Sequence, residues 1–263
     1  MSEERCYKPQ LSLDDQFHFA CRRGLDCFTS CCRDVTIMLT PYDVLRLRKA
    51  LGITSGEFLK KYTHLVQVHS KVLPLVQLRM NADNEDRCYF VNAPHGCTLY
   101  EHRPWACRMF PLDEAAVGGF QVVTNVERCH GLGEPDEWKV REWLKDQGAT
   151  QSKEMDGSYE SLVSHVRMSA LNEVENPKIQ QMVVMALYDL DRFRDFVLNS
   201  SFLERFDLDD DTVFAVKTDD PALLDLGYAW VRFGLFGQKS LELKENYKKK
   251  LESEQAAAGQ ENV

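Results

Sequence analysis

No cysteine follows Cys129, although nine lie between Cys6 and that point. Other absences narrow the reading. No apolar run approaches the length of a membrane span, and the opening MSEERCYKPQ has no apolar stretch that could act as a secretory signal. The expectation is a cytoplasmic protein with no membrane contact. Positive charge is in deficit: the formal net charge is −9. Residues 1–150 are near balance at −1, and residues 151–263 carry −8. Phosphate contact needs concentrated positive charge, so nucleic acid is excluded as a general partner. No GxGxxG stretch offers a nucleotide turn, no C-x3-C-x2-C run is present, no C-x2-C knuckle occurs, and no solenoid repeat is visible.

A chain of 263 residues, 44% hydrophobic and 28% charged, buries a core without staples. Nine cysteines therefore need a separate reason. In a reducing compartment a cysteine pattern points to metal binding or catalysis rather than to a disulfide framework, and the odd count argues the same way.

The cysteines divide the chain. The reading is α+β: a cysteine-rich N-terminal part of short strands and helices, then a mainly α-helical part. The expected domains are residues 1–135, a cysteine-cluster metal-binding domain, 136–250, a helical domain, and 251–263, a disordered tail. VTIML (35–39) reads as a strand. Thr40, Pro41 and Asp43 begin a helix, and Thr54 with Glu57 forms a second capping box. VLPLVQLRM (72–80) and CYFV (88–91) read as paired strands around NADNED, and FQVVTN (120–125) as a further strand. Helices are expected over 136–147, 157–175, 178–200 and 220–235. The acidic run DLDDDT (207–212) lacks the glycine and glutamate of a calcium loop and reads as a solvated turn.

CRRGLDCFTSCC places four cysteines, Cys21, Cys27, Cys31 and Cys32, within twelve residues. Cys88, Cys97, Cys107 and Cys129 come from separate loops or element edges. Eight thiolates are enough for two four-sulfur sites, of zinc or of an iron–sulfur cluster. The adjacent pair Cys31–Cys32 either serves two centres or sits on sharply bent backbone, because neighbouring side chains of an extended chain point apart. Arginine abuts six of the nine cysteines: Arg5, Arg22, Arg33, Arg87, Arg108 and Arg128. Guanidinium charge beside thiolates would offset the negative charge of a four-sulfur site. The third informative stretch is GCTLYEHRPWACRMFP. There Pro104 favours an extended Arg103 and can start a short helix.

The cysteine group ending in Cys31–Cys32, together with Cys97-x-x-Tyr100-x-x-Arg103-Pro104-x-x-Cys107-Arg108-x-Phe110-Pro111, resembles the YkgJ-type cysteine-cluster family, the zinc- or iron-chelating domain also called CxxCxxCC. The resemblance covers about residues 17–130 and departs from the compact spacing in the first group, here C-x5-C-x3-CC. It implies metal chelation by the cysteines. The same segments are similar to those of flagellin lysine methylase, which is associated with an iron–sulfur centre.

The leading expectation is a metal-binding protein whose ligands are Cys21, Cys27, Cys31, Cys32, Cys88, Cys97, Cys107 and Cys129. The balance tips toward iron–sulfur over zinc because compact Cys-x-x-Cys knuckles are missing. One alternative is an S-adenosylmethionine-dependent protein lysine methylase. Another is a metal-free thiol redox protein, with Cys129–His130 as its weakly placed dyad. No catalytic residue is assigned. His18, His95, His102 and His130 lie near cysteines and read as outer or surface groups. Phe17, Phe19, Tyr100, Trp105 and Phe110 are expected to pack around the centre. The acidic helical half is the candidate surface for a protein partner.

Overall fold

Thr40 stops the chain in an extended conformation and then accepts a hydrogen bond from the Asp43 N–H at 3.0 Å, while the Asp43 carboxylate accepts from the Thr40 N–H at 3.1 Å. This reciprocal cap, with Pro41 at the first position, starts the first helix where the sequence placed it. The computed structural model describes residues 10–66, 73–92, 94–168 and 176–260. Cys6, Arg5 and the 169–175 end of one expected helix lie outside them. The fold is α+β, with short strands in the N-terminal part and mostly helices after it. The chain forms two compact units: one of residues 1–52, 60–66 and 75–157, the other of 53–59, 67–74 and 158–263.

The first unit is a patchwork of small antiparallel sheets. β1 (Gln16–His18) pairs with β11 (Glu137–Lys139), and β9 (Leu112–Glu114) with β10 (Phe120–Val122). β2 (Met38–Leu39), β3 (Thr63–Val66) and β4 (Leu75–Leu78) form the one three-stranded sheet among the described residues, with β4 central. β5 (Met80–Asn81) pairs with β6 (Arg87–Cys88), and β7 (Val91–Asn92) with β8 (Gly96–Cys97). The helices are α1 (Pro41–Leu51), the end of α2 (Ser55–Tyr62), α3 (Trp105–Met109), α4 (Val140–Asp146) and α5 (Ala149–Met155). The core joins Phe17 and Phe19 of the β1 segment to Met109, Leu112, Val140, Trp143 and Leu144.

Two strand expectations change. The strand expected over 72–80 does not pair with 88–91: β4 takes β2 and β3 as partners, and only the two-residue ribbon β5–β6 spans the NADNED turn. Val76 and Leu78 are buried, so the segment satisfies its apolar face in a three-stranded sheet instead of a hairpin. VTIML narrows to the two residues of β2.

The second unit is helical: α6 (Gly157–Met168), α7 (Pro177–Leu187), α8 (Leu190–Asn199), α9 (Phe202–Arg205), α10 (Asp210–Thr218), α11 (Asp220–Phe236) and α12 (Glu245–Gln260). Asn176 caps α7 with its side chain, and Asp219 caps α11. The helix expected over 178–200 is broken at Tyr188–Asp189. There Ser55 donates its hydroxyl to Asp189 and Asp191 at 2.9 and 2.7 Å, and the Asp191 N–H donates back at 3.0 Å. The acidic run is not a free turn either. Asp209 accepts from the Thr212 N–H at 2.6 Å and caps α10, and Asp210 and Asp211 occupy that helix's first turn, where negative charge opposes the helix dipole. Aromatic rings fill the interior: Phe193, Phe196, Phe202, Phe206, Trp230 and Phe233 stack in one run. α11 meets α7 so closely at Gly227 that a Cβ there would stand 2.3 Å from the Ala186 carbonyl oxygen.

Candidate metal centre

Close backbone approach sets the first part of the site. The Phe19 N–H donates to Asp136 at 2.9 Å and the Ala20 N–H to Gly131 at 3.0 Å. A Cβ on Gly131 would lie 2.5 Å from the Ala20 carbonyl, so only glycine permits this contact. The contact draws Cys21 toward Cys129, which is buried in the same apolar cluster as Phe17, Phe19 and Trp143. Cys27 joins them through the His130 N–H, which donates to its sulfur at 3.3 Å.

The tight turn through Cys31–Cys32 follows. Ser30 N–H donates to Cys27, and Cys32 N–H to Thr29, in a 3-10 turn over Ser30–Cys32. Thr29 precedes it in the left-handed conformation at φ 66, with its hydroxyl held by Arg87 at 3.2 Å. The sulfurs of Cys31 and Cys32 stand 4.0 Å apart. An antiparallel bridge, Arg33 with Arg87, continues through the Asp34 N–H to Asp86 carbonyl bond at 2.9 Å. The same register sets Cys32 opposite Cys88. The next hairpin returns Cys97 alongside, since Thr98 donates its N–H and its hydroxyl to Phe90 at 2.7 and 3.0 Å. Cys107 rides on α3, which Asp43 caps by accepting the Trp105 N–H at 3.0 Å.

The mutual influence of the thiols follows this geometry. Burial, then the charges of Cys31, Cys129 and Cys27, push the Cys21 thiol up to about 11. Burial also raises Cys129, with Cys27 and Cys31 adding to it. On the other side of the turn, Cys32 is pushed up by its hydrogen bond with Cys31, by burial, and by the charges of Cys31, Cys107 and Cys88. Burial raises Cys107 to about 12, with Cys88, Asp43 and Cys97 adding to it, and Cys88 feels Cys97 in turn. Cys31 is lowered to about 7, chiefly by the hydrogen bond from Cys32. Apart from the Cys31–Cys32 contact itself, Cys21 and Cys129 feel Cys27 and Cys31, whereas Cys32 and Cys107 feel Cys88, and Cys107 and Cys88 feel Cys97.

Backbone amides face several sulfurs. Phe90 donates toward Cys88, Leu99 toward Cys97, and Gly131 and Leu132 toward Cys129, each favouring the thiolate. The eight described cysteines are free thiols. Converging cysteine sulfurs that accept from amide donors fit a zinc or iron–sulfur centre by the chemistry of the donor set. Among the described residues, no three His, Cys, Asp or Glu side chains are drawn together as a closed ligand set.

Four of the arginines next to cysteines have other partners. Arg22 pairs with Glu134 and Asp136, Arg33 with Glu85, and Arg87 holds Thr29. Arg108 is buried and donates to three carbonyls: Arg103 at 3.0 Å, Gln147 at 2.7 Å, and Glu101. The guanidinium whose charge favours the thiolates of Cys21, Cys97 and Cys107 is Arg103, which abuts no cysteine. Its signal in the sequence was its place in the Arg103-Pro104 motif, where no role had been given to it. Phe17, Phe19, Trp105 and Phe110 do join the apolar cluster around Cys129. Tyr100 does not: it is half exposed and lies under the Arg103 guanidinium, 3.5 Å from its ring centre.

No curated protein matches the chain, and no solved structure matches it. Among the described residues, no helix is long and apolar enough to cross a membrane. The family model CxxCxxCC, "Putative zinc- or iron-chelating domain", matches residues 20–130, the span that holds all eight described cysteines. That match, over somewhat less than half of the chain, supports a metal-binding cysteine-cluster protein.

Proposed function

We propose that the eight thiols hold two metal centres of four sulfurs each, one on Cys21, Cys27, Cys31 and Cys129 and the other on Cys32, Cys88, Cys97 and Cys107. The observation that carries this reading is the backbone geometry: the Ala20–Gly131 contact and the His130 N–H to Cys27 sulfur bond gather one end of the cysteine group, the Arg33–Arg87 bridge and the Thr98–Phe90 bonds gather the other, and the Cys31 and Cys32 sulfurs stand 4.0 Å apart where they meet. Iron–sulfur clusters are favoured over zinc. The amide donors at Cys27, Cys88, Cys97 and Cys129 are the means by which a protein tunes a cluster's potential, and the sequence has no compact zinc knuckle. Such a centre supplies electron transfer or a thiolate-bound Lewis acid when present. The chain's own part is to hold the sulfurs, donate amide hydrogens to them, and keep Phe19, Trp105 and Phe110 against the buried side of Cys129. A cysteine-cluster domain followed by a helical domain belongs to the same proposal, as does a cytoplasmic location.

Purification without oxygen, followed by visible absorption and assay of iron, zinc and acid-labile sulfide, tests it. Two cubane clusters give on the order of eight iron and eight sulfide per chain, whereas two zinc sites give about two zinc and no colour. A colourless, metal-free chain whose thiols all react without unfolding would overturn the reading.

A further inference from the structure

A polar cavity of about 590 Å³ opens in the first unit between the α1 segment, the residues before α3, and the α4–α5 corner. Four cations line it, Arg46, Arg103, Arg108 and Lys145, against two carboxylates, Glu101 and Asp146. Among the described residues none of the four cations is in an ion pair. The guanidinium groups are instead fixed by neutral oxygens. Arg46 donates to the Glu101 carbonyl at 2.7 Å, Arg103 to Tyr100 at 2.8 Å and to the Gln147 side chain at 3.1 Å, and Arg108 to its three carbonyls. Neutral acceptors orient these groups and leave their charge in place. Arg46 uses Nη2, and Arg103 uses Nε and Nη2, so each keeps its Nη1 without an acceptor among the described residues. The Lys145 ammonium makes no hydrogen bond among the described residues, and the buried Ser152 hydroxyl in the cavity wall has none there either. The crowding of like charge is felt within the site: burial, then the charges of Arg46 and Arg103, hold Arg108 below the usual arginine range, against the opposing Asp43 and Glu101.

Preorganised, unneutralised guanidinium groups in a concave polar site are the arrangement that recognises oxyanions, and the volume lies within the range of small-molecule sites. We propose that this cavity binds a small organic anion through a phosphate or carboxylate group held by Arg46, Arg103 and Lys145. Binding of the anion does not depend on a metal. Arg103, which would hold the anion, ends the turn just before the helix α3 that carries Cys107. The anion would thus sit on the flank of the cysteine cluster, and its role beside a centre rests on the metal-centre reading.

The test is calorimetric titration of the full chain, as purified without oxygen, with pyrophosphate and separately with citrate, at fixed ionic strength set by chloride. Saturable binding of either anion is expected, and the tighter one identifies the preferred group. Lys145→Gln, which removes no side-chain hydrogen bond or ion pair among the described residues, and Arg46→Gln should each weaken binding about tenfold, the effect of losing one charge-assisted contact. Metal content per chain, measured on the same samples, should not change. Binding absent from the parent protein, or equal in the parent and both variants, overturns the anion site whatever the metal content. A metal-free protein that still binds the anion leaves the site standing and removes only its role beside a centre.

Discussion

The two units reach order by different means. The helical unit rests on long amphipathic elements, side-chain caps, and an aromatic interior running from Phe193 to Phe233. The cysteine unit has strands of two to four residues, left-handed backbone at Thr29, Asp34, Glu85 and Asp86, and a modest core gathered on one side around Trp143. Strands so short bring little stability of their own. The second unit is therefore specified mainly by packing. The first leaves much of its specification to polar ties and, on our proposal, to metal binding, which acts as folding free energy when ligands come from separate segments.

Removing metal should break the symmetry most clearly. Chelation in the presence of reductant should abolish the near-ultraviolet circular dichroism of the cysteine unit while most helical signal at 222 nm survives. Equal loss of both would show that the units do not differ in this way. Within the cluster, Cys129→Ser should halve the metal content by removing one set, and Cys107→Ser should halve it by removing the other. Complete loss from either variant would favour a single shared centre. In the helical unit, Phe193→Ala should cost about 3–5 kcal/mol in urea unfolding with metal content unchanged, as for other buried aromatic truncations. Gly131→Ala and Gly227→Ala form a matched pair, with Cβ atoms 2.5 and 2.3 Å from a carbonyl oxygen. Each should cost about 1–3 kcal/mol as an overpacked contact, but only Gly131→Ala should lower bound metal. The smallest effect is expected at Thr40→Ala, about 1 kcal/mol from the lost cap, read by thermal unfolding.

Where local chemistry decides structure, the sequence was readable. Thr40, Pro41 and Asp43, the Thr54–Glu57 pair, and the start of α3 after Pro104 all act over three or four residues and stand where expected. Where the deciding contact is distant, it was not. Nothing near Val76 says that β4 would sit between β2 and β3. No glycine or proline marks the break at Tyr188–Asp189, which answers to Ser55 far earlier in the chain. The grouping of the cysteines and the reach of Arg103 depend in the same way on tertiary approach. Sequence adjacency singled out Arg22, Arg33 and Arg108, whose partners proved to be carboxylates and carbonyls.

Thr29 carries a further consequence. A β-branched residue in left-handed backbone is unfavourable by itself and persists only where its surroundings over-determine it. Here the side chain is buried and gripped by Arg87. The next three residues deliver one sulfur to each set, so the segment behaves as a stiff yoke. On our proposal, a change that slackens it, such as Arg87→Ala, would act on both quartets at once, and disturbance at either one would be felt by its neighbour through a single peptide unit.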